Sequence, residues 1–550
     1  MNHESFDYVI VGAGSAGCVL AARLSENEHC RVLLLEAGGS DANPLVSIPI
    51  GMGKLHQHRL HDWRFETEPE PNLDGRRLEA ARGKVLGGSS SINVMAYTRG
   101  NSADFERWSR EGASGWSYRD VLPYFKKGEA WESGENPWRG GSGPVGTQFG
   151  KTQDPIFPAW IEAGAQAGFP TVADYNGAQQ EGFGRGQYTI RDGRRSSSSR
   201  AYLRPARARK NLVVRTRAHV CKVLFEGVRA TGVRYLRGGK TNNAYAAREV
   251  ILCAGAFSTP HLLMLSGIGP ADDLRQTGID PLLDHPNVGA HLQDHLGVWI
   301  VWSRRSPGSF HAAMRADRMA LSMLRAYFLG SGAGTVVPGG LHAFIKTRAD
   351  LEVPDIEFMF HTVPAQTRLW FPVLAPPYQD GYAIRPTLLH PQSRGRISLR
   401  SSDPLQPMRI TYRFFTDARD LPHLREGFLR AREVGAQHAM EPFRGKEIAP
   451  GEAVRNPAEI DAFIRRTAST AHHPCSTCRM GSDPQTSVLD PQLRVRGTQA
   501  LRVVDASAMP DLVSAHINAC VLMMGEKAAA MIRGEASESV GGLAPAHGAA

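Results

Sequence analysis

Apolar positions open the chain as a strand. Phe6-Asp-Tyr-Val-Ile-Val11 is rich in β-branched and aromatic residues and stops at Gly12, and from Cys18 to Leu24 the apolar residues recur at helical spacing. The pattern predicts strand, glycine turn, helix. Arg31-Val-Leu-Leu-Leu-Glu36 reads as a second buried strand ending in an acid, while Leu212–Thr216 and Val220–Phe225 predict strands returning to the same unit. Residues 300–475 have another texture, with short strands such as Asp355–Phe360 and Gly395–Arg400. A helix is predicted from Asp417 to about His438, where Leu421, Leu424, Phe428, Ala431 and Val434 form one apolar stripe for core packing. Leu501–Asp505 returns to strand, and a final apolar helix is predicted from about Ala519 to Ile532. Residues 102–195, rich in Gly, Trp and Pro, read as long loops with short helices.

This alternation predicts an α/β protein in which a Rossmann-like nucleotide-binding domain is interleaved with a second domain of antiparallel sheet and helices. The expected division is residues 1–300 for the first domain, with insertions at about 102–195, residues 301–475 mainly for the second, and a return to the first at 476–533. Residues 534–550, which hold few large apolar groups, are expected to be disordered. No repeat of 20 to 50 residues is visible, which argues against a solenoid or propeller.

Composition narrows the class. A chain of 550 residues exceeds what one core fills, and 42% hydrophobic with 21% charged residues is ordinary for a soluble protein. No run of 18 apolar residues spans a bilayer. The opening MNHESFD lacks a basic segment followed by an apolar one, and the seven cysteines are scattered, so a reducing, cytoplasmic setting is expected. The net charge of +10 comes from dispersed arginines with no basic helix carrying interleaved aromatics, which argues against nucleic acid. It leaves peripheral attachment to an anionic membrane open.

Candidate chemistry lies at both ends. Gly12 permits a tight turn, Gly14 lets a pyrophosphate approach, and Gly17 allows helix to pack on strand; Ser15 and Ala16 share the turn. Glu36, followed by Ala37, stands where a carboxylate accepts hydrogen bonds from a ribose. This is a dinucleotide site that does not separate NAD from FAD. A second glycine-serine turn runs from Gly83 to Asn93 and includes Gly87, Gly88 and Ser89. Near the C-terminus, His472-His473-Pro474-Cys475-Ser-Thr-Cys478 admits zinc binding, disulfide exchange or proton abstraction. Adjacent residues of an extended chain point to opposite sides, which disfavours chelation of one metal by both histidines.

The opening fingerprint, Gly83–Asn93, Gly255–Gly269, Asn287–His295 and the HHPCSTCRMG stretch together resemble the signatures of the glucose-methanol-choline oxidoreductase family, over about residues 6 to 532. Phe443–Gly451 adds a likeness to its choline-dehydrogenase-like alcohol dehydrogenases. The resemblance implies FAD, held non-covalently because Ile92 stands where some relatives carry a flavin-linked histidine. It implies His473 as catalytic base and Asn518 as the second group on the substrate oxygen, where other members carry histidine. His390, His472 and His516 are implied pocket residues, and Asn93, Val220 and Asp505 cofactor contacts. It implies no metal, since relatives carry the second cysteine without one.

The implied reaction is hydride transfer from a primary alcohol to flavin, giving an aldehyde and passing electrons to a quinone or other carrier. Choline-oxidising relatives carry Glu soon after Gln-Asp-His; Gln293-Asp294-His295-Leu-Gly-Val298 has no acid there, which weighs against choline. Val298–Trp302 and Leu369–Leu374 read equally as a pocket or lid and as core strands. The alternatives are an oxygen-using oxidase that produces hydrogen peroxide, choline dehydrogenase itself, and a flavin protein without turnover or with photochemical or lyase activity.

Overall fold

In the computed structural model, which describes residues 4–363 and 367–535, the chain opens with strand Ser5–Val11, helix Ser15–Leu24 and strand Val32–Leu35. The turn between the first two works only with glycine. Gly12 has φ +99°, and a Cβ there would lie 2.5 Å from the Cys253 carbonyl oxygen; one at Gly17 would lie 1.9 Å from the Gly12 carbonyl oxygen.

Ser5–Val11 is central to a seven-stranded sheet, pairing in parallel with Lys240–Leu252 on one side and Val32–Leu35 on the other. Leu212–Arg215 extends the parallel part, His219–Glu226 and Arg229–Arg237 add antiparallel strands, and Leu501–Val503 closes against Lys240–Leu252. Helix Asn518–Arg533 lies on helix Ser15–Leu24, so the first and last helices share one core. That core is close-packed: a Cβ at Gly525 would lie 3.0 Å from Val19 Cβ.

A second, eight-stranded sheet is drawn from residues 182–470; six strands run in the order Arg444–Ala449, Ile300–Arg304, Gly381–Leu388, Ile356–His361, Gly339–Ile345, Gly182–Arg185, and Leu296–Gly297 joins Gly381–Leu388 to Ser469–Thr470 beside them. Helix Asp420–Ala436 covers one face and buries all five residues of the predicted stripe. The α/β architecture with two interleaved units is thus what the chain adopts. Residues 102–195 hold more order than expected. They form helices Ser102–Arg110, Tyr118–Gly128 and Ile156–Gln166, and Gly182–Arg185 pairs with Gly339–Ile345. Buried Glu129 ties the region down, pairing with Arg99 and, at 2.6 Å, with Arg139. The tail expected to be disordered lies, from residue 536, outside the described residues.

Strand alternation gives the second sheet two unlike faces. Ile356, Phe358 and Phe360 point toward the core, whereas Glu357, Met359 and His361 point the other way. The register sets His342 and Arg385 opposite Met359 from the two flanking strands, on that same face. A polar sheet face therefore roofs the space between the two units.

Candidate active site

One cavity of about 800 Å³ runs between the units. Its nucleotide end is lined by Gly12, Gly14, Ser15, Ala16, Glu36, Ala37, Gly88, Ser89, Asn93, Val220, Asp505 and Asn518. Gly17 and Gly87 do not line it. Gly17 sits under Gly12, and the Gly87 N–H donates to the Ala13 carbonyl at 2.7 Å, so both shape the turn from behind. Glu36 is buried and accepts from the Ala13 and Gly38 N–H groups at 2.8 and 2.7 Å, with Lys84 acting on it only through its charge. Burial pushes its carboxyl up to about 7 against those two bonds.

Three helices begin at the cavity, at Ser15, Gly255 and Asn518, and no side chain caps the first or the third. Their N–H groups and dipoles make this end attractive to a pyrophosphate. Asp505 meets the second start through Gly255 N–H at 2.8 Å and also accepts from Thr259 and Ser507. A Cβ at Gly88 would lie 2.7 Å from the Gly14 Cα, so the two glycine turns form one cradle. These features fit a bound dinucleotide.

The other end is built around His473. His472 adopts a left-handed conformation, φ +63°, and its carbonyl accepts from Arg82 Nη2 at 2.5 Å. Asp294 holds the loop, accepting from the His473 N–H at 2.8 Å, from Tyr412 Oη at 2.7 Å and from Thr470 Oγ1. Gln293–His295 therefore serves as the clamp for the His473 loop.

The bonds determine the tautomers. His295 Nε2 lies 3.1 Å from the Leu389 carbonyl, which only accepts, so that nitrogen carries the proton. Burial drives His295 down to about 3 and keeps it neutral, which leaves Nδ1 as an acceptor. His473 Nδ1, 2.9 Å away, must then be the donor, and its Nε2 is left with a lone pair. Burial, aided by His516 and His295, holds His473 well below the ordinary histidine value.

His516 stands beside it, with ring centroids 4.8 Å apart. Its Nε2 is 2.9 Å from Glu357 Oε1, the atom that also accepts from His342 Nδ1 at 2.8 Å. Burial would raise the Glu357 carboxyl, but His516 and His342 together hold it well below the usual range. Glu357 is thus an ionised carboxylate beneath the active face.

The structure redistributes several expected residues. Asn518 is the first residue of the last helix, and its Oδ1 accepts from Ser15 Oγ at 2.6 Å, at the nucleotide end. His516, two residues earlier, takes the place beside His473. His472 lines the cavity, but His390 does not. His472, His473, Cys475 and Cys478 do not converge; among the described residues the group able to hold a metal ion is His342, Glu357 and His516. Burial raises the thiol pKa of both cysteines. Glu357, His342, His361 and Arg385 were missed. Their only signal was a charged or polar residue within an otherwise apolar strand.

Comparison with known proteins places this geometry. Models of the N- and C-terminal parts of GMC oxidoreductases match residues 6–297 and 391–525. The chain is 44% identical to the mitochondrial choline dehydrogenase of Homo sapiens, covering 97% of this chain and 91% of that protein. It is also 44% identical to the oxygen-dependent choline dehydrogenase of Pseudomonas aeruginosa, covering 96% and 95%. Among solved structures, pyridoxine 4-oxidase from Mesorbium loti superposes with a TM-score of 0.86 at 32% identity, over 96% of this chain and all of that one.

Proposed function

Because the chain belongs to the GMC oxidoreductase family, FAD-dependent enzymes acting on CH–OH donors, we propose that it oxidises a primary alcohol to the aldehyde with His473 as base. The observation that carries the reading is the histidine chain from Leu389 through His295 to His473, which leaves the His473 Nε2 lone pair for the hydroxyl proton. Bound FAD supplies the hydride acceptor. Glu36, the Gly14–Ser15 turn, Gly88 and Asp505 are the residues to hold it, and the Ile92 side chain cannot form a covalent link. The second group on the substrate oxygen is His516 in place of the expected Asn518. Glu357 accepts from its Nε2–H and so fixes the ring, leaving Nδ1 for the alcohol.

The expectation against choline does not stand beside relatives of 44% identity named as choline dehydrogenases, so choline heads the alcohols to test. Anaerobic mixing of the yellow enzyme with choline and a panel of primary alcohols should bleach the flavin absorbance. If no alcohol does so, the protein is a flavin binder without this activity. Electrons are proposed to leave to a quinone or another carrier. Peroxide yield in air against dye reduction separates that route from oxygen use, which the name of the Pseudomonas relative keeps in view.

An outward apolar surface supports membrane attachment. No described helix is long and apolar enough to cross a membrane. On helix Ala316–Leu329, however, Leu321, Leu324, Phe328 and Leu329 are each more than half exposed. The adjoining segment, joined through the bond from Ala316 N–H to the Trp370 carbonyl, exposes Val373 and Leu374. Arg318 and Arg325 flank the apolar residues, a combination suited to an anionic bilayer surface. The enzyme should sediment with phosphatidylglycerol vesicles and less with phosphatidylcholine. L324E with F328E should lower that binding about 10-fold or more. Wild-type protein left in the supernatant, or a surface covered by self-association in sedimentation velocity, would remove the assignment.

A further inference from the structure

The substrate end of the cavity contains a cation that the proposed proton transfer does not use. Arg385 lies opposite Met359 on the active face of the second sheet and lines the cavity together with Trp299, His361 and His472. It is only 7% exposed. Nη2 donates to neutral acceptors alone, the Ser469 carbonyl at 2.8 Å, Ser469 Oγ at 3.2 Å and the Thr470 carbonyl at 3.1 Å. Nε is buried without a partner. A Cβ on Gly297 would lie 2.9 Å from that nitrogen, so the glycine leaves the guanidinium its space.

Nη1 forms no hydrogen bond among the described residues, and no carboxylate pairs with the guanidinium; Glu357 and Asp294 act on it only from a distance. Arg99, Arg139 and Arg304 are also buried, and each meets a carboxylate. Arg195 meets none, but it does not line the cavity and donates to the Val46, Ser90 and Asn93 carbonyls and to Asn93 Oδ1, so Arg385 is set apart by facing the cavity. A guanidinium is effectively always charged, and a charge held this far from water is costly unless a counter-charge meets it. Its carbon lies 5.4 Å from the Trp299 ring centroid, and the Trp299 ring meets His361 edge-on at 4.9 Å. One face of Trp299 is therefore already taken by a cation.

We propose that Arg385 is the anion-recognising residue of the substrate pocket, and that the alcohol oxidised by His473 carries a carboxylate at the end away from its hydroxymethyl group. The inference rests on the alcohol-oxidation reading and specifies the kind of alcohol. An ω-hydroxyalkanoate or a hydroxymethylbenzoate binds with its carboxylate on Arg385, the benzoate ring meeting Trp299 and His361.

The test compares ω-hydroxyalkanoates of three to six carbons and 4-(hydroxymethyl)benzoate with uncharged alcohols of equal length and with choline, all on the FAD-loaded enzyme. Wild type should favour the charged member of each pair in kcat/KM. R385Q should lower the ratio of charged to uncharged kcat/KM about 10- to 100-fold, and R385K should recover part of it. A second readout needs no turnover. Simple alkanoates and benzoate should perturb the flavin spectrum of wild type at concentrations that leave R385Q unchanged. Equal use of charged and uncharged alcohols by wild type, a preference for choline, or a ratio unmoved in R385Q would overturn the proposal while oxidation stood. If R385Q does not fold, the wild-type comparison and the carboxylate titration still decide. If no alcohol bleaches the flavin, oxidation falls, and a titration without effect takes the anion site with it.

Discussion

Replacing His473 with alanine is expected to lower kcat by about 10²- to 10⁴-fold while the protein stays yellow, because the side chain supplies the proton acceptor and none of the nucleotide contacts. The loss should appear in kcat and kcat/KM together, since a group that acts as hydride leaves contributes little to ground-state binding. His473 also sets a pH expectation. Its imidazole is held well below the ordinary value of about 6.5. The lone pair therefore survives acidification that would protonate a free histidine. The acid limb of kcat/KM should fall below pH 6.5, with activity lost only when His473 itself takes a proton. An H473A variant with near-normal turnover, or an acid limb above 6.5 that disappears in H516Q, would assign the base elsewhere.

The second large effect is expected at Glu357, a residue that lies behind the cavity wall. Glutamine keeps its shape but carries no charge, whereas Oε1 of the carboxylate receives both His342 and His516. His516 then loses the charged acceptor that fixes its Nε2–H. By the logic of carboxylate-histidine pairs, kcat should drop about 10²-fold with cofactor retained. A purely structural role is separated by a cycle with H516Q. If Glu357 works through His516, the double variant should be no slower than H516Q alone. Multiplied losses would mean that the carboxylate acts independently. Stability should follow as well. A carboxyl held below its usual range contributes stability above the unfolded value of about 4.3, and that contribution is lost as pH falls through the folded value. Wild type should therefore lose more stability than E357Q on acidification.

The parts of the site legible in the chain are those whose physics is local. Gly12 is required by its left-handed φ and Gly17 by the Gly12 carbonyl five residues before it, Glu36 ends the next strand, and the stripe from Leu421 to Val434 needs only helical periodicity. Elsewhere two or three distant segments must be aligned before a residue has a meaning. His516 and Asn518 are two positions apart at the start of one helix, and which meets His473 depends on how the chain enters it at Ile517. Glu357, His342 and Arg385 belong to three strands whose alternation is visible. Only the register across residues 339–388 shows that their face covers the cavity. His390, just past the strand Gly381–Leu388, was placed on the cavity without that register. The edge strand Gly182–Arg185 has glycine at two of its four positions, which gives it little strand signature.

The closing of the first sheet by Leu501–Val503, and the packing of Asn518–Arg533 onto Ser15–Leu24, bear on how the protein is made. Ser15 and its partner Asn518 are separated by 503 positions, and both line the nucleotide end. A nascent chain exposes its glycine fingerprint early, but the fingerprint has no finished pocket until residues 501–533 have been synthesised and docked. Cofactor capture is thereby postponed to the end of synthesis, and a ribosome-stalled chain that stops short of residue 501 should emerge colourless.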